Sequence, residues 1–274
     1  MVMQTWFYDA ILYMYALSLL FYFADFTNPN RRAKRMGTGL LLFVWVFQTG
    51  YLAYSLTSHS SMSAFSMFET LFIFAWLLVT VSLAVSRFFR IELFVFFVNV
   101  LGFSVLALNM FSEPGLSPAL SHWNIKDELL FIHISLAAAG YAAFVVSAVF
   151  SGMYLFLHRK LKEKQWTQQM QRLPSLERMD HFAFVAVLIG APLMLLTISL
   201  GIVWISIQGD YALYLDPKVL NSWFVLLAYV FYLFQRMLLK SPGNRLALWN
   251  LAAFTIMLIN FILTNYYSTF HQWS

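Results

Sequence analysis

The sequence predicts an all-α integral membrane protein with eight transmembrane helices and both termini on the outer side. Three observations carry that expectation. Of the 274 residues, 61% are hydrophobic and 11% charged, and the mean hydropathy is +0.71. A soluble domain is about 45–50% apolar and about 25% charged, so in water this chain would expose apolar patches larger than a soluble monomer tolerates. The apolar residues gather into eight runs, each near or above the roughly 20 residues that cross a bilayer as a helix. The basic residues fall in alternate loops, as they do in multi-pass proteins. A soluble globular enzyme, a disordered chain and a solenoid of polar repeats are excluded. The absence of cysteine further excludes disulfides, iron–sulfur clusters, thiolate ligation of haem and a cysteine nucleophile.

The runs cover residues 6–23, 38–56, 64–85, 93–111, 129–157, 182–207, 219–239 and 246–267. They are apolar on all sides and show no period-2 alternation, which predicts helices rather than barrel strands. The first run has no basic leader and no small-residue cleavage site, so it reads as a true span. The fifth is longer than one perpendicular crossing needs and should tilt or project. Little chain remains for a soluble domain, and residues 1–274 read as a single polytopic membrane domain.

Orientation follows from charge. The odd-numbered loops hold Arg31, Arg32, Lys34 and Arg35; Arg87 and Arg90; Arg159, Lys160, Lys162, Lys164, Arg172 and Arg178; and Arg236, Lys240 and Arg245. Only Lys126 and Lys218 fall in even-numbered loops. Short basic loops stay cytoplasmic, which places both termini outside. The net charge of +5 reflects this bias. It is no nucleic-acid footprint, because the cations are spread over four loops without a recognition fold. The expected surroundings are the lipid bilayer.

The six histidines sort by side. His158 and His181 sit at inner ends beside basic residues and read as interfacial. His59, His133 and His271 lie near outer ends, and His122 lies in the long outer loop. His133 stands about one turn inside the fifth run, where an ionisable group is costly and marks a candidate functional site; a neutral imidazole bonded to a neighbouring helix is the alternative. His271 follows the last run, and by itself it reads as a tail residue. Two outward imidazoles are what a bis-His haem needs. Glu69 stands near the outer end of the third run, as a site group or an interfacial carboxylate. Asp210 and Asp216 flank a surface-lying or re-entrant aromatic segment in which Tyr211 and Tyr214 are interfacial anchors. Asp216-Pro217 also has the form of a helix start, with Asp as the cap and Pro in the first turn. The small residues Ala137, Ala138, Ala139, Gly140, Ala142 and Ala143 allow close helix packing. A P-loop, a dinucleotide fingerprint, an HExxH pair and a nucleophile elbow are all absent.

Several segments, in fixed order over roughly residues 57–274, resemble the cytochrome c assembly family of haem-handling membrane proteins, the CcsA- and CcmC-like proteins. Leu130-Phe-Ile-His133-Ile-Ser-Leu-Ala-Ala-Ala-Gly140-Tyr-Ala-Ala-Phe144 is similar to the family's HV-x5-GYAAF helix. Gly190-Ala-Pro-Leu through Gly201-Ile-Val-Trp204 is similar to its G-x-P-L…G-x-x-W span. Gly209-Asp-Tyr, then Asp216-Pro-Lys218, Tyr229, Tyr232-Leu and Arg236, follow its tryptophan-rich segment and next helix. Asn260, Asn265 and His271 resemble its last helix and the histidine after it, and His59 with Phe68-Glu69-Thr-Leu and Trp76 resembles its GH-x-P…YES-L…W stretch.

The resemblance implies haem b, bound non-covalently, with His133 and His271 as axial ligands of the iron. Asp216, Tyr211, Tyr214, Glu69 and His59 are the further site residues, and Lys126 or Lys218 would meet the propionates. Two departures qualify it. The family's WG-x-x-W-x-WD stretch is replaced by Gln208-Gly-Asp-Tyr-Ala-Leu-Tyr-Leu-Asp216, without tryptophan. An intramembrane histidine of some members is replaced by Phe234. The pattern resembles a small eight-span branch of the family tied to haem synthesis in Gram-positive bacteria. It implies a non-enzymatic role in the bacterial cytoplasmic membrane, linked to the level of glutamyl-tRNA reductase. The alternatives are a haem lyase or exporter component of cytochrome c maturation, or a haem-free scaffold that recruits the reductase.

Overall fold

The computed structural model describes residues 2–58, 67–89, 91–109, 125–164, 170–209 and 211–267. Among them are eight α-helices, two short 3-10 turns and no strand. The helices are α1 (Val2–Thr27), α2 (Arg31–Ser58), α3 (Met67–Phe89), α4 (Glu92–Asn109), α5 (Ile125–Lys162), α6 (Leu176–Gln208), α7 (Pro217–Met237) and α8 (Gly243–Tyr267). The described part of each apolar run falls on one helix. Seven are long and apolar enough to cross a membrane, and Glu92–Leu108 within α4 is a shorter apolar helix. The chain is therefore an all-α membrane protein with seven candidate spans. At 38 residues, α5 is about 57 Å long at about 1.5 Å per residue, well beyond a hydrocarbon core of about 30 Å.

The helices form two compact units. The first holds α1 to α4 and the 3-10 turn Met170–Arg172. The second holds α5 to α8 and the 3-10 turn Tyr211–Leu215.

In the first unit, α1 buries Tyr8, Ile11, Tyr15, Ser18, Tyr22 and Asp25. These alternate in steps of three and four, so they form one stripe down the helix. Three tyrosines recur every seven residues, and each hydroxyl meets a polar partner on another helix. Tyr8 donates to the Leu106 carbonyl at 2.5 Å, Tyr15 to Asn99 Oδ1 at 2.8 Å, and Tyr22 bonds Thr38 Oγ1 at 2.9 Å. Asn99 in turn donates to Ser82 Oγ at 2.7 Å, joining α4 to α3. A reciprocal pair links α2 and α3: Trp45 donates to Thr80 and Trp76 to Thr49, both at 2.9 Å. Glycine makes room for the tyrosines, since a Cβ on Gly102 would stand 2.6 Å from the Tyr15 oxygen.

The second unit is built by close approach. α5 packs along α6 and α8, and α7 packs on both α6 and α8. A Cβ on Gly190 of α6 would meet the Phe144 ring at 2.7 Å. That ring is stacked on Tyr229 of α7, with centroids 3.6 Å apart and planes at 5°. Side-chain hydrogen bonds also cross this unit. Asn250 of α8 donates to Ser147 and Ser151 of α5 at 2.5 and 2.7 Å, and Ser147 donates to the Ala183 carbonyl of α6 at 2.7 Å. Near the basic ends, Arg236 pairs with Asp180 at 2.6 Å.

Candidate functional site

The second unit carries the outward segment of the sequence reading. His133 lies in the third turn of α5, on the face that also carries Gly140, Phe144, Ser147 and Ser151. Its Nδ1 lies 2.8 Å from the backbone oxygen of Thr197 on α6. A carbonyl can only accept, so Nδ1 bears the proton. In the neutral imidazole the lone pair then resides on Nε2, the form that binds a metal. The Thr197 hydroxyl is turned back onto its own helix, donating to Leu193 at 2.9 Å. The group that meets His133 Nδ1 is thus a backbone oxygen, whose position is fixed by the helix rather than by a rotamer.

Nine residues beyond Thr197, α6 meets the aromatic turn. Gly209 closes the helix with φ of 81° and donates its N–H to Ile205 at 3.0 Å. That left-handed conformation favours glycine. Residues Tyr211–Leu215 then wind into a 3-10 turn. The Tyr214 hydroxyl is 2.8 Å from Ser206 Oγ on α6, and the Tyr211 and Tyr214 rings stack with centroids 6.2 Å apart. Tyr211 itself is exposed.

Asp216 is buried and caps α7, accepting from the Lys218 N–H at 2.8 Å, with Pro217 in the first turn. The sequence pair Asp-Pro thus has the structural role its form predicts. The Lys218 side chain lies within electrostatic reach of His133.

Glu69 belongs to the first unit. It is buried and accepts from Ser55 of α2 at 3.2 Å. His59, His122, Asp210 and His271 lie outside the described residues, as does the side chain of Lys126. Of the inner histidines, His158 stacks on Tyr154, and His181 is exposed beside Phe182. The sequence reading missed the Thr197 carbonyl, because a backbone oxygen leaves no signature in composition. It also missed the Asp180–Arg236 pair and the Asn250 network, which join residues 56 and about 100 positions apart.

Comparison with known proteins agrees with the motif reading. A model of the family "Cytochrome C assembly protein" matches residues 37–271. The chain is 40% identical to Protein HemX of Bacillus subtilis over 266 residues, covering 97% of this chain and 96% of that protein. It is 41% identical to Protein HemX of Brevibacillus brevis over 269 residues, covering 98% of each. The cytochrome c biogenesis protein CcsA of Mesostigma viride is 25% identical over 228 residues, covering 73% of each chain. With its eight apolar helices, its GYAAF segment on α5 and a family match over most of its length, the chain belongs to the cytochrome c assembly protein family.

Proposed function

We propose that the protein binds haem at the outer end of its second unit, and that it serves haem handling tied to control of haem synthesis rather than catalysis. In this reading all eight helices cross the bacterial cytoplasmic membrane and both termini face outward. One observation carries it most: the Thr197 carbonyl sets His133 in the metal-binding tautomer. The second ligand is His271, four residues past the end of α8. Haem bound there would supply an iron for two imidazoles. The chain's own part is to orient His133, to offer Lys218 to a carboxylate, and to cover the site with the turn Tyr211–Leu215.

The absorbance spectrum of the detergent-purified protein tests this. Haem held by two imidazoles is expected to give a sharp low-spin Soret band. His133→Ala and His271→Ala should each abolish it at unchanged protein level, while His158→Ala keeps it. Retention of the band in His133→Ala would remove the proposal.

The turn carries tyrosines where the family has tryptophans, and one of them is exposed. An aromatic side chain buries about 150–250 Å², so less covering surface means weaker retention. Haem is expected to pass to excess apomyoglobin within minutes. Retention over many hours would favour a permanently haem-loaded protein over one whose occupancy follows supply. The link to glutamyl-tRNA reductase rests on the family resemblance. Its test is the reductase level in cells that carry His133→Ala.

A further inference from the structure

Four cations open α2, and their partners differ. Lys34 is ion-paired with Glu92 of α4. Arg31, Arg32 and Arg35 are exposed, and no carboxylate among the described residues pairs with them. Four other basic residues near helix ends do have acids: Arg159 and Lys160 share Glu163, Arg172 holds Asp25, and Arg236 holds Asp180. Three guanidiniums within five residues repel one another, and no ion pair among the described residues takes them up.

A second observation concerns the face they stand on. Arg32, Arg35 and Met36 share a side of α2 with Leu42, Phe43 and Val46, by the 3.6-residue period. Met36, Leu42, Phe43 and Val46 are 53%, 52%, 59% and 51% exposed. Gly39 lies in the middle of that face, and a Cβ there would meet nothing within 4 Å. The face thus runs from free guanidiniums, across an open notch, to apolar surface.

We propose that this face of α2 holds one anionic phospholipid, its phosphate on Arg31, Arg32 and Arg35 and an acyl chain in the notch at Gly39 beside Met36, Leu42 and Phe43. Guanidinium forks match phosphate oxygens in pairs, and the apolar stripe continues in the direction a chain must run from its headgroup. A second copy of the protein fits this face less well. Two copies in one bilayer share an orientation, so pairing through Gly39 would set the arginines of each against those of the other.

The test is native mass spectrometry of the full chain in detergent, titrated with phosphatidylglycerol or with phosphatidylcholine of the same chain length. Phosphatidylglycerol should be retained in preference. Changing Arg31, Arg32 and Arg35 together to Gln should weaken it by roughly 100-fold. The control, with Arg159, Lys162 and Lys164 changed to Gln, removes the same charge elsewhere and should leave it unchanged. Gly39→Leu fills the notch at constant charge and should weaken retention several-fold. Equal retention of the two lipids would overturn the proposal, and so would equal losses in the two triple variants. Displacement by inorganic phosphate at the lipid's own concentration would assign the site to free phosphate and overturn the lipid source. Should the triple variant fail to fold, Arg35→Gln alone is expected to weaken binding roughly fivefold, and no change would count against the site.

Discussion

The two units solve the same problem, holding apolar helices together where lipid is as apolar as any side chain, by different means. The first unit relies on polar groups that meet across helices. Tyr8, Tyr15 and Tyr22 each reach another helix, and Trp45 and Trp76 exchange bonds with Thr80 and Thr49. The second adds proximity, with Phe144 pressed between Gly190 and Tyr229, to a polar network at Asn250, Ser147 and Ser151, the Arg236–Asp180 pair and the bond that orients His133. The difference teaches where each unit tolerates change. A unit held by directional bonds yields to lost hydroxyls, whereas one held by shape yields to altered volume. The candidate ligand stands in the unit held by shape, where a backbone carbonyl can be placed against an imidazole without an intervening rotamer.

Four measurements would break or sharpen this contrast, and the largest effect is expected in the second unit. Phe144→Ala empties the space between Gly190 and Tyr229 and should cost about 3–5 kcal/mol, read as unfolding free energy in mixed micelles. A loss below about 1 kcal/mol would show that shape does not govern this unit. In the first unit, Tyr15→Phe keeps the volume but leaves the buried Asn99 oxygen without its donor, and should cost about 1–2 kcal/mol. The same volume-neutral change at a hydroxyl of the second unit, Tyr229→Phe, removes a group that has no hydrogen-bond partner among the described residues. It should be neutral or stabilising. If Tyr229→Phe costs as much as Tyr15→Phe, the contrast between the units fails. The smallest cost that should still be measurable belongs to the Trp45–Thr80 bond. A double-mutant cycle with Trp45→Phe and Thr80→Val should return a coupling of about 0.6 kcal/mol, the average for such bonds in membranes.

Much of the fold was legible in the sequence. Each of the eight apolar runs is a helix, because the bilayer obliges backbone groups to bond within their own segment. The helix start at Asp216-Pro217 was legible too, since both residues have strong local preferences at that place. The faces of the helices were not. The stripe of α1 alternates in steps of three and four, yet its run reads as apolar on every side. In water a buried stripe stands out against polar neighbours. In lipid the outward positions, such as Leu17, Leu20 and Phe23, are as apolar as the inward ones, so the period loses its contrast. The tyrosines are seven apart in plain view, but their partners on α2 and α4 are set by packing.

What the sequence by itself determined is therefore what depends on local composition: the helical class, the helix positions, the alternation of basic loops, and the family through its ordered motifs. It also singled out His133, because an imidazole within an apolar run is conspicuous. The tertiary structure alone decided that Thr197 faces that imidazole 64 residues away. It likewise decided that Glu69 accepts from Ser55 in the first unit while Tyr214 meets Ser206 in the second. The physical reason is the same in each case. Composition records what a residue prefers to be surrounded by, and only the packing of one helix on another determines which backbone oxygen, hydroxyl or charge arrives beside it.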